Sequence, residues 1–137
     1  VRSFGPLRAS LGIDPIALQE RVSVFAMIET TRGLAAAEEI CGVDGLTGIY
    51  VGPADLAISM GHGPTEAWAR RDVFDVILEV QRIATEAGLV SAIHASTGTA
   101  GNMLAQHGFH MITLASESQA LRRGAAAHLA DALGEDA

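Results

Sequence analysis

Two acidic residues stand at the ends of apolar runs, 26 positions apart. Glu29 closes Val22-Ser23-Val24-Phe25-Ala26-Met27-Ile28, and Asp55 follows Leu46-Thr47-Gly48-Ile49-Tyr50-Val51 across Gly52-Pro53-Ala54. Runs of this kind read as buried parallel strands, and a strand-helix-strand unit takes about thirty residues. Both carboxylates then lie at the C-terminal ends of their strands, the edge at which open and closed α/β sheets place their chemistry. Two carboxylates converging there point to a hard divalent cation. In the turn before Asp55, Gly52 allows a ligand close to the backbone and Pro53 fixes φ, so the amides of Ala54 and Asp55 can face an anion at a helix start. The plainer readings are a helix-terminal acid at Glu29, favoured by the macrodipole, and a simple Asp N-cap at Asp55.

The other chemistry-bearing residues give weaker signals. His62, in the loop after the second apolar run, faces either substrate or solvent. His94 closes the third run and either lines a pocket or is a hydrogen-bonded core histidine. His107, His110 and His128 have no metal-ligand spacing, and Cys41 has no partner cysteine and reads as a small buried residue. Ser96 to Gly98 and Ser116 to Ser118 end the third and fourth runs, where they line the same mouth or cap the next helices. No Walker A pattern and no G-x-G-x-x-G opens a helix.

The elements that must carry these residues alternate. Strands are expected over Val22–Ile28, Leu46–Val51, Leu89–Ala95 and Phe109–Leu114. Helices are expected through Leu34–Ile40 with Thr30 or Thr31 as cap, from Glu66 to Ala87, from Thr97 to Gln106 and from Ser118 to Leu133. Val73, Ile77, Val80 and Ala84 make one apolar face of the long helix. A short helical stretch runs from Ile16 to Arg21, and residues 134–137 form a polar tail. Four strand-helix units in series mean a parallel sheet with right-handed crossovers. Four units are half of an eight-unit barrel, and a small doubly wound sheet fits the same periodicity.

Composition narrows the function. The 137 residues suffice for one domain with a sizeable core. Half are hydrophobic (49%), so the chain is globular. A net charge of −7 argues against nucleic-acid and anionic-membrane partners. The single cysteine, with no signal-like or membrane-length apolar segment, leads to the expectation of a cytoplasmic protein. All nine basic residues are arginine, so this stretch supplies no lysine for a Schiff base. The opening Val1-Arg2-Ser3-Phe4-Gly5-Pro6 reads as mid-chain sequence, and a piece of a longer protein is expected.

Three segments, Arg2-Ser3-Phe4-Gly5-Pro6, Met27-Ile28-Glu29-Thr30 and Gly52-Pro53-Ala54-Asp55-Leu56-Ala57-Ile58-Ser59-Met60-Gly61, resemble the HpcH/HpaI class II aldolases of the phosphoenolpyruvate/pyruvate superfamily. The likeness runs from residue 1 to about residue 125 and is most specific in the first sixty. It implies a (β/α)8 TIM barrel of which residues 1–137 are a partial domain, strands five to eight plus the C-terminal helix. It implies retro-aldol cleavage of a 4-hydroxy-2-oxo acid, or a 2-keto-3-deoxy sugar acid, to pyruvate and an aldehyde. Glu29 and Asp55 would be ligands of Mg²⁺ or Mn²⁺ (Co²⁺ also serves in relatives). Gly52, Pro53, Ala54 and Asp55 would bind substrate, the amides of Ala54 and Asp55 holding the pyruvate carboxylate. A homo-oligomer, trimer or hexamer, would form through swapping of the C-terminal helix. The related malyl- or citramalyl-CoA lyases and citrate lyase β subunits share the Ile-Glu-Thr pattern, but they usually carry an acid where this chain has Pro53-Ala54. Two departures stand out. Met27 replaces a frequent glutamine, and the family's histidine base, aspartate and arginine lie in an N-terminal half with no counterpart here, so no catalytic residue is expected in this chain. A non-catalytic half-barrel that folds only by pairing is the remaining alternative.

Overall fold

The computed structural model describes residues 14–134. Four parallel strands form one sheet: β1 (Phe25–Ile28), β2 (Gly48–Val51), β3 (Val90–His94) and β4 (Met111–Thr113). The helices are α1 (Pro15–Gln19), α2 (Thr31–Ala35), α3 (Ala37–Cys41), α4 (Pro53–Ser59), α5 (Arg71–Glu86), α6 (Gly98–Gln106) and α7 (Glu117–Leu133). The Arg2–Pro6 motif and residues 135–137 lie outside the described residues.

The sheet order is β1-β2-β3-β4 without reversal. A doubly wound sheet needs a switch point where the order reverses, so that alternative is not what forms. The register aligns Ala26 with Ile49 and Ile28 with Val51, then Ile49 with Ser91 and Val51 with Ile93, then Ile93 with Ile112. Because strand side chains alternate, these rows share one face, and that face meets the helices. Ile28, Ile49, Val51 and Ile93 are fully buried there against Leu56, Val73, Ile77, Val80 and Leu104. The expected apolar face of the long helix supplies Val73, Ile77, Val80 and Ala84 at 1% exposure or less.

The second face of the sheet carries Phe25, Met27, Tyr50, Val90, Ala92, His94, Met111 and Thr113, none of which belongs to that core. Met27 is 56% exposed. Gly48 also lies on this face, where a Cβ would come 2.3 Å from the Val90 carbonyl and 2.5 Å from the Phe25 ring. Only glycine fits at that crossing of strands.

Several boundaries differ from expectation. The long helix starts at Arg71 rather than Glu66, because residues 63–70 fold back on themselves. Glu66 accepts a hydrogen bond from the Gly63 amide (2.9 Å), and Arg70 N–H returns to the Glu66 carbonyl. Ala67, off the helical apolar stripe, is buried by this fold-back instead. The expected helix through Leu34–Ile40 breaks at Ala36 into α2 and α3, and the bend lets Ala37 and Cys41 enter the core. Strand β1 begins at Phe25 rather than Val22, although the Val24 carbonyl already accepts from the Thr47 amide (2.8 Å), and Val22 and Val24 are about half exposed. The last helix has a full capping box, Ser116 with Gln119. None of its described residues is buried, and Leu121, Leu129 and Leu133 are 60–75% exposed.

Candidate active site

Strand pairing brings the two carboxylates to one edge. Ile28 pairs with Val51, and the Gly52 amide donates to the Ile28 carbonyl (3.1 Å). Glu29 therefore leaves β1 beside Gly52, the first residue after β2. A Cβ at Gly52 would sit 2.9 Å from Glu29 Cβ and 3.0 Å from Glu29 Oε2, so the missing side chain is what gives the Glu29 carboxylate its place. Met27 lies next to both, its Sδ 3.8 Å from that same point.

The N-cap reading of Asp55 fails on position, while both acids do lie at helix N-terminal ends. Thr30, not Glu29, caps α2, its hydroxyl accepting from the Gly33 amide. Gly52 is the N-cap of α4, with Pro53 at its first position, so Asp55 is the third helical residue. Asp55 is exposed and Glu29 half-buried. Neither carboxylate has a hydrogen-bond or ion-pair partner among the described residues. A half-buried carboxylate without a partner is costly unless a cation or water serves it. Among the described residues there is no cluster of three or more His, Cys, Asp or Glu. Glu29 and Asp55 are two hard carboxylate oxygen sets on this edge, the donor type that Mg²⁺ or Mn²⁺ could take, ions that keep several positions for water and substrate oxygens.

Beside this edge lies a pocket of about 300 Å³, lined by Ala54, Pro64, Thr65, Trp68, His94 and Ser96 among others. It joins the start of α4 to the fold-back loop and to the end of β3. His94 lines the pocket, and its Nδ1 lies 3.1 Å from Thr113 Oγ1, but it is half-buried and outside the core. Thr113 Oγ1 also shares a hydrogen bond with the Tyr50 hydroxyl. Three polar side chains from β2, β3 and β4 are thus linked on the second face of the sheet.

The remaining histidines do not line this pocket. His62 Nε2 pairs with Asp72 Oδ2 at 2.9 Å, and Arg70 bonds the same carboxylate. These bonds, the Arg70 guanidinium's first and the His62 ring's after it, hold the Asp72 carboxyl down to about 2. The trio closes the base of the loop that carries Pro64, Thr65 and Trp68. His110 Nδ1 receives the Ser91 amide (3.2 Å), and His107 sits edge-on to Phe74 at 5.2 Å. His128 is exposed on α7. Thr97 and Ser116 are helix caps, whereas Ser96 lines the pocket and its carbonyl accepts from Arg123 (3.0 Å). Burial raises the pKa of the Cys41 thiol, consistent with an inert core residue. Sequence reasoning missed Tyr50, Thr113, Trp68 and Asp72. For the first two a signal existed, since each is a hydrogen-bonding residue placed out of phase with the apolar positions of its strand.

A family model described as HpcH/HpaI aldolase/citrate lyase matches residues 8–124. A hydroxypyruvate/pyruvate aldolase of Rhizorhabdus wittichii is 37% identical over 135 residues, covering 96% of this chain and 54% of that protein. The chain thus spans about half the length of this relative. The crystal structure of an HpcH/HpaI aldolase/citrate lyase family protein from Burkholderia cenocepacia superposes with a TM-score of 0.79 at 27% identity, over 96% of this chain and 52% of that one. A citrate lyase β subunit from M. tuberculosis, complexed with oxaloacetate and magnesium, is similar in fold. Its TM-score is 0.60 at 21% identity, over 76% of this chain and 52% of that one. The family model covers most of the residues, and the chain belongs to the HpcH/HpaI aldolase/citrate lyase family.

Proposed function

We propose that this chain forms the metal- and pyruvate-binding part of a carbon-carbon lyase that cleaves a 4-hydroxy-2-oxo acid, or a 2-keto-3-deoxy sugar acid, to pyruvate and an aldehyde. The observation that carries this reading is the pair Glu29 and Asp55 on one strand edge, with Gly52 leaving room for the first. These two carboxylates would hold Mg²⁺ or Mn²⁺. Such an ion supplies Lewis-acid stabilisation of the negative charge that develops on the keto oxygen of the substrate. The amides of Ala54 and Asp55, in the first turn of α4, have no intrahelical acceptor and would hold the carboxylate of the 2-oxo acid, together with the Gly52-Pro53 turn. In the cleavage, a base takes the proton of the 4-hydroxyl as the C3–C4 bond breaks. The bond's electron pair passes to C3, which then takes a proton to give pyruvate. The base and an oxyanion-binding arginine would come from outside this chain. The lysine-free sequence favours metal over imine as the electron sink.

The order of the sheet, its uncovered second face and the half-length match to relatives support four consecutive units of a (β/α)8 barrel. The exposed leucine stripe on α7 supports a helix exchanged between copies of a cytoplasmic homo-oligomer. The Gly-Pro-Ala turn, together with the aldolase names of the sequence relatives, favours the aldolase over acyl-CoA or citrate lyase chemistry. The test is pyruvate release from 4-hydroxy-2-oxo acids by the full-length protein. EDTA should abolish it and Mn²⁺ restore it, while Glu29→Ala should remove both metal binding and turnover. Full activity in EDTA would end this reading.

A further inference from the structure

Two hydrogen bonds tie the segment that carries Glu29 to the segment that carries Asp55, and they bracket both acids. On the strand side the Gly52 amide donates to the Ile28 carbonyl (3.1 Å). On the helix side the Thr31 amide donates to Ser59 Oγ (2.9 Å), and the Ser59 hydroxyl lies 3.3 Å from Thr31 Oγ1. Residues 28–31 and 52–59 thus close into a circuit, with Glu29 on one arm and Asp55 on the other. The direction of the second tie is fixed, because a backbone N–H only donates. Thr31 is the first residue of α2, so its amide has no acceptor within that helix. Ser59 supplies one from another element.

The two arms are not anchored alike. The Asp55 arm is helical: α4 buries Pro53, Leu56 and Ala57, and Ser59 is its last residue, one turn beyond Asp55. The Glu29 arm leaves the core after Ile28, and the next core residue is Ala37. None of the described residues of α2 is buried. The tie to Ser59 therefore holds the Glu29 arm against the better-anchored one. How firmly two carboxylates are held bears on which cation they suit. Mg²⁺ demands near-ideal octahedral geometry at about 2.0–2.1 Å, whereas Ca²⁺ takes roughly six to eight oxygens at about 2.3–2.6 Å in flexible arrangements. A fixed pair favours the first ion, and a pair with one loose member still serves the second.

We propose that Ser59 is a positioning residue that sets the separation of Glu29 and Asp55, and through it the preference of the site for a small octahedral cation over Ca²⁺. This rests on the metal-binding reading above and adds the device that makes the site selective. When the tie is cut, Leu56 keeps Asp55 in place while the Glu29 arm gains freedom, so the loss falls on the ion with the stricter geometry.

The test is a competition titration on the full-length protein, with Mn²⁺ as the observed ion and Mg²⁺ or Ca²⁺ as competitor, so the readout needs no turnover. Ser59→Ala should weaken Mg²⁺ binding roughly two- to tenfold, the range that one net hydrogen bond spans, and Ca²⁺ binding by less than about twofold. Ser59→Thr, which keeps the hydroxyl, should hold the wild-type ratio. Thr31→Pro cuts the same tie from the other side. Proline suits the first helical position, and Thr30 is already extended (φ −137°, ψ 155°), as the residue before a proline prefers to be. Thr31→Pro should lower the Mg²⁺-to-Ca²⁺ ratio as Ser59→Ala does, and the double variant should fall no further. An unmoved ratio in Ser59→Ala or Thr31→Pro, an equal loss of both ions, or Ser59→Thr no better than Ser59→Ala overturns the role of Ser59 alone. A wild-type protein that binds no Mn²⁺, or a Glu29→Ala protein that binds it as the wild type does, overturns the metal-binding reading beneath it as well.

Discussion

Replacing Gly52 with alanine tests whether the Glu29 carboxylate is held where a metal needs it. The added Cβ would lie 2.9 Å from Glu29 Cβ and 3.0 Å from Oε2, against an ordinary carbon-carbon contact of about 3.5–4.0 Å. Oε2 can swing away by side-chain rotation. Glu29 Cβ cannot, because the Gly52 amide bonds the Ile28 carbonyl (3.1 Å) and ties the two backbones together. Relief therefore requires at least about half an ångström of backbone movement, and overpacking of this kind costs ~1–3 kcal/mol. The backbone itself is not strained, with φ at −98°, so alanine recovers about 0.4–1 kcal/mol from the unfolded chain. A net destabilisation of roughly 0–2.6 kcal/mol remains. Displacement matters more to the metal. Mg²⁺ demands near-ideal geometry, and disturbing the support of a ligand costs about 10–100-fold in affinity. Mn²⁺ titration of Gly52→Ala should show that loss, with urea unfolding reporting the stability term. Gly42→Ala is the control: its Cβ would meet only carbonyls at 3.4 and 3.7 Å, and its φ is −80°, so Mn²⁺ affinity should stay at the wild-type value and stability should rise by about 0.4–1 kcal/mol. A Gly52→Ala protein that binds Mn²⁺ like the wild type would refute the assignment of Glu29 as a ligand held by this contact.

Two further outcomes follow from the fold. Ile77 is fully buried at the centre of the helix-sheet core, so Ile77→Ala should cost about 2–5 kcal/mol, read as a lower urea midpoint at unchanged slope; a loss under 1 kcal/mol would mean that α5 does not pack as described. The Asp72 carboxyl is held down to about 2 from its usual 3.8, first by Arg70 and then by His62. A depressed folded-state pKa contributes stability that is fully present above the unfolded value and is lost as pH falls toward the folded one. Protection of the amides of residues 62–70, relative to their intrinsic exchange rate, should therefore fall between about pH 4 and pH 2, and Asp72→Asn should lower it at neutral pH already. Exchange in that loop that is indifferent to Asp72→Asn would show that the trio does not close it.

The strand-helix alternation, the placing of Glu29 and Asp55 at strand ends and the stripe Val73, Ile77, Val80, Ala84 were all legible in the residues, because each depends on local periodicity and on the cost of burying a charge. Composition alone also showed that this stretch supplies no lysine for an imine. What periodicity cannot carry is which strands become neighbours and which side chains meet across them. The order β1-β2-β3-β4 and the helices on one face come from the pairing itself. So do the vacancy that Gly52 leaves for Glu29 and the link from Tyr50 through Thr113 to His94. The same holds for the fold-back of residues 63–70. Glu66 and Trp68 extend a helical pattern by propensity, but in the structure Glu66 bonds the Gly63 amide, Ala67 is buried, and the helix begins five residues later. The residue types set the chemistry available at this strand edge, and tertiary contacts set which of those residues share a cavity, because a contact between strands is a property of register and sheet order rather than of any single segment.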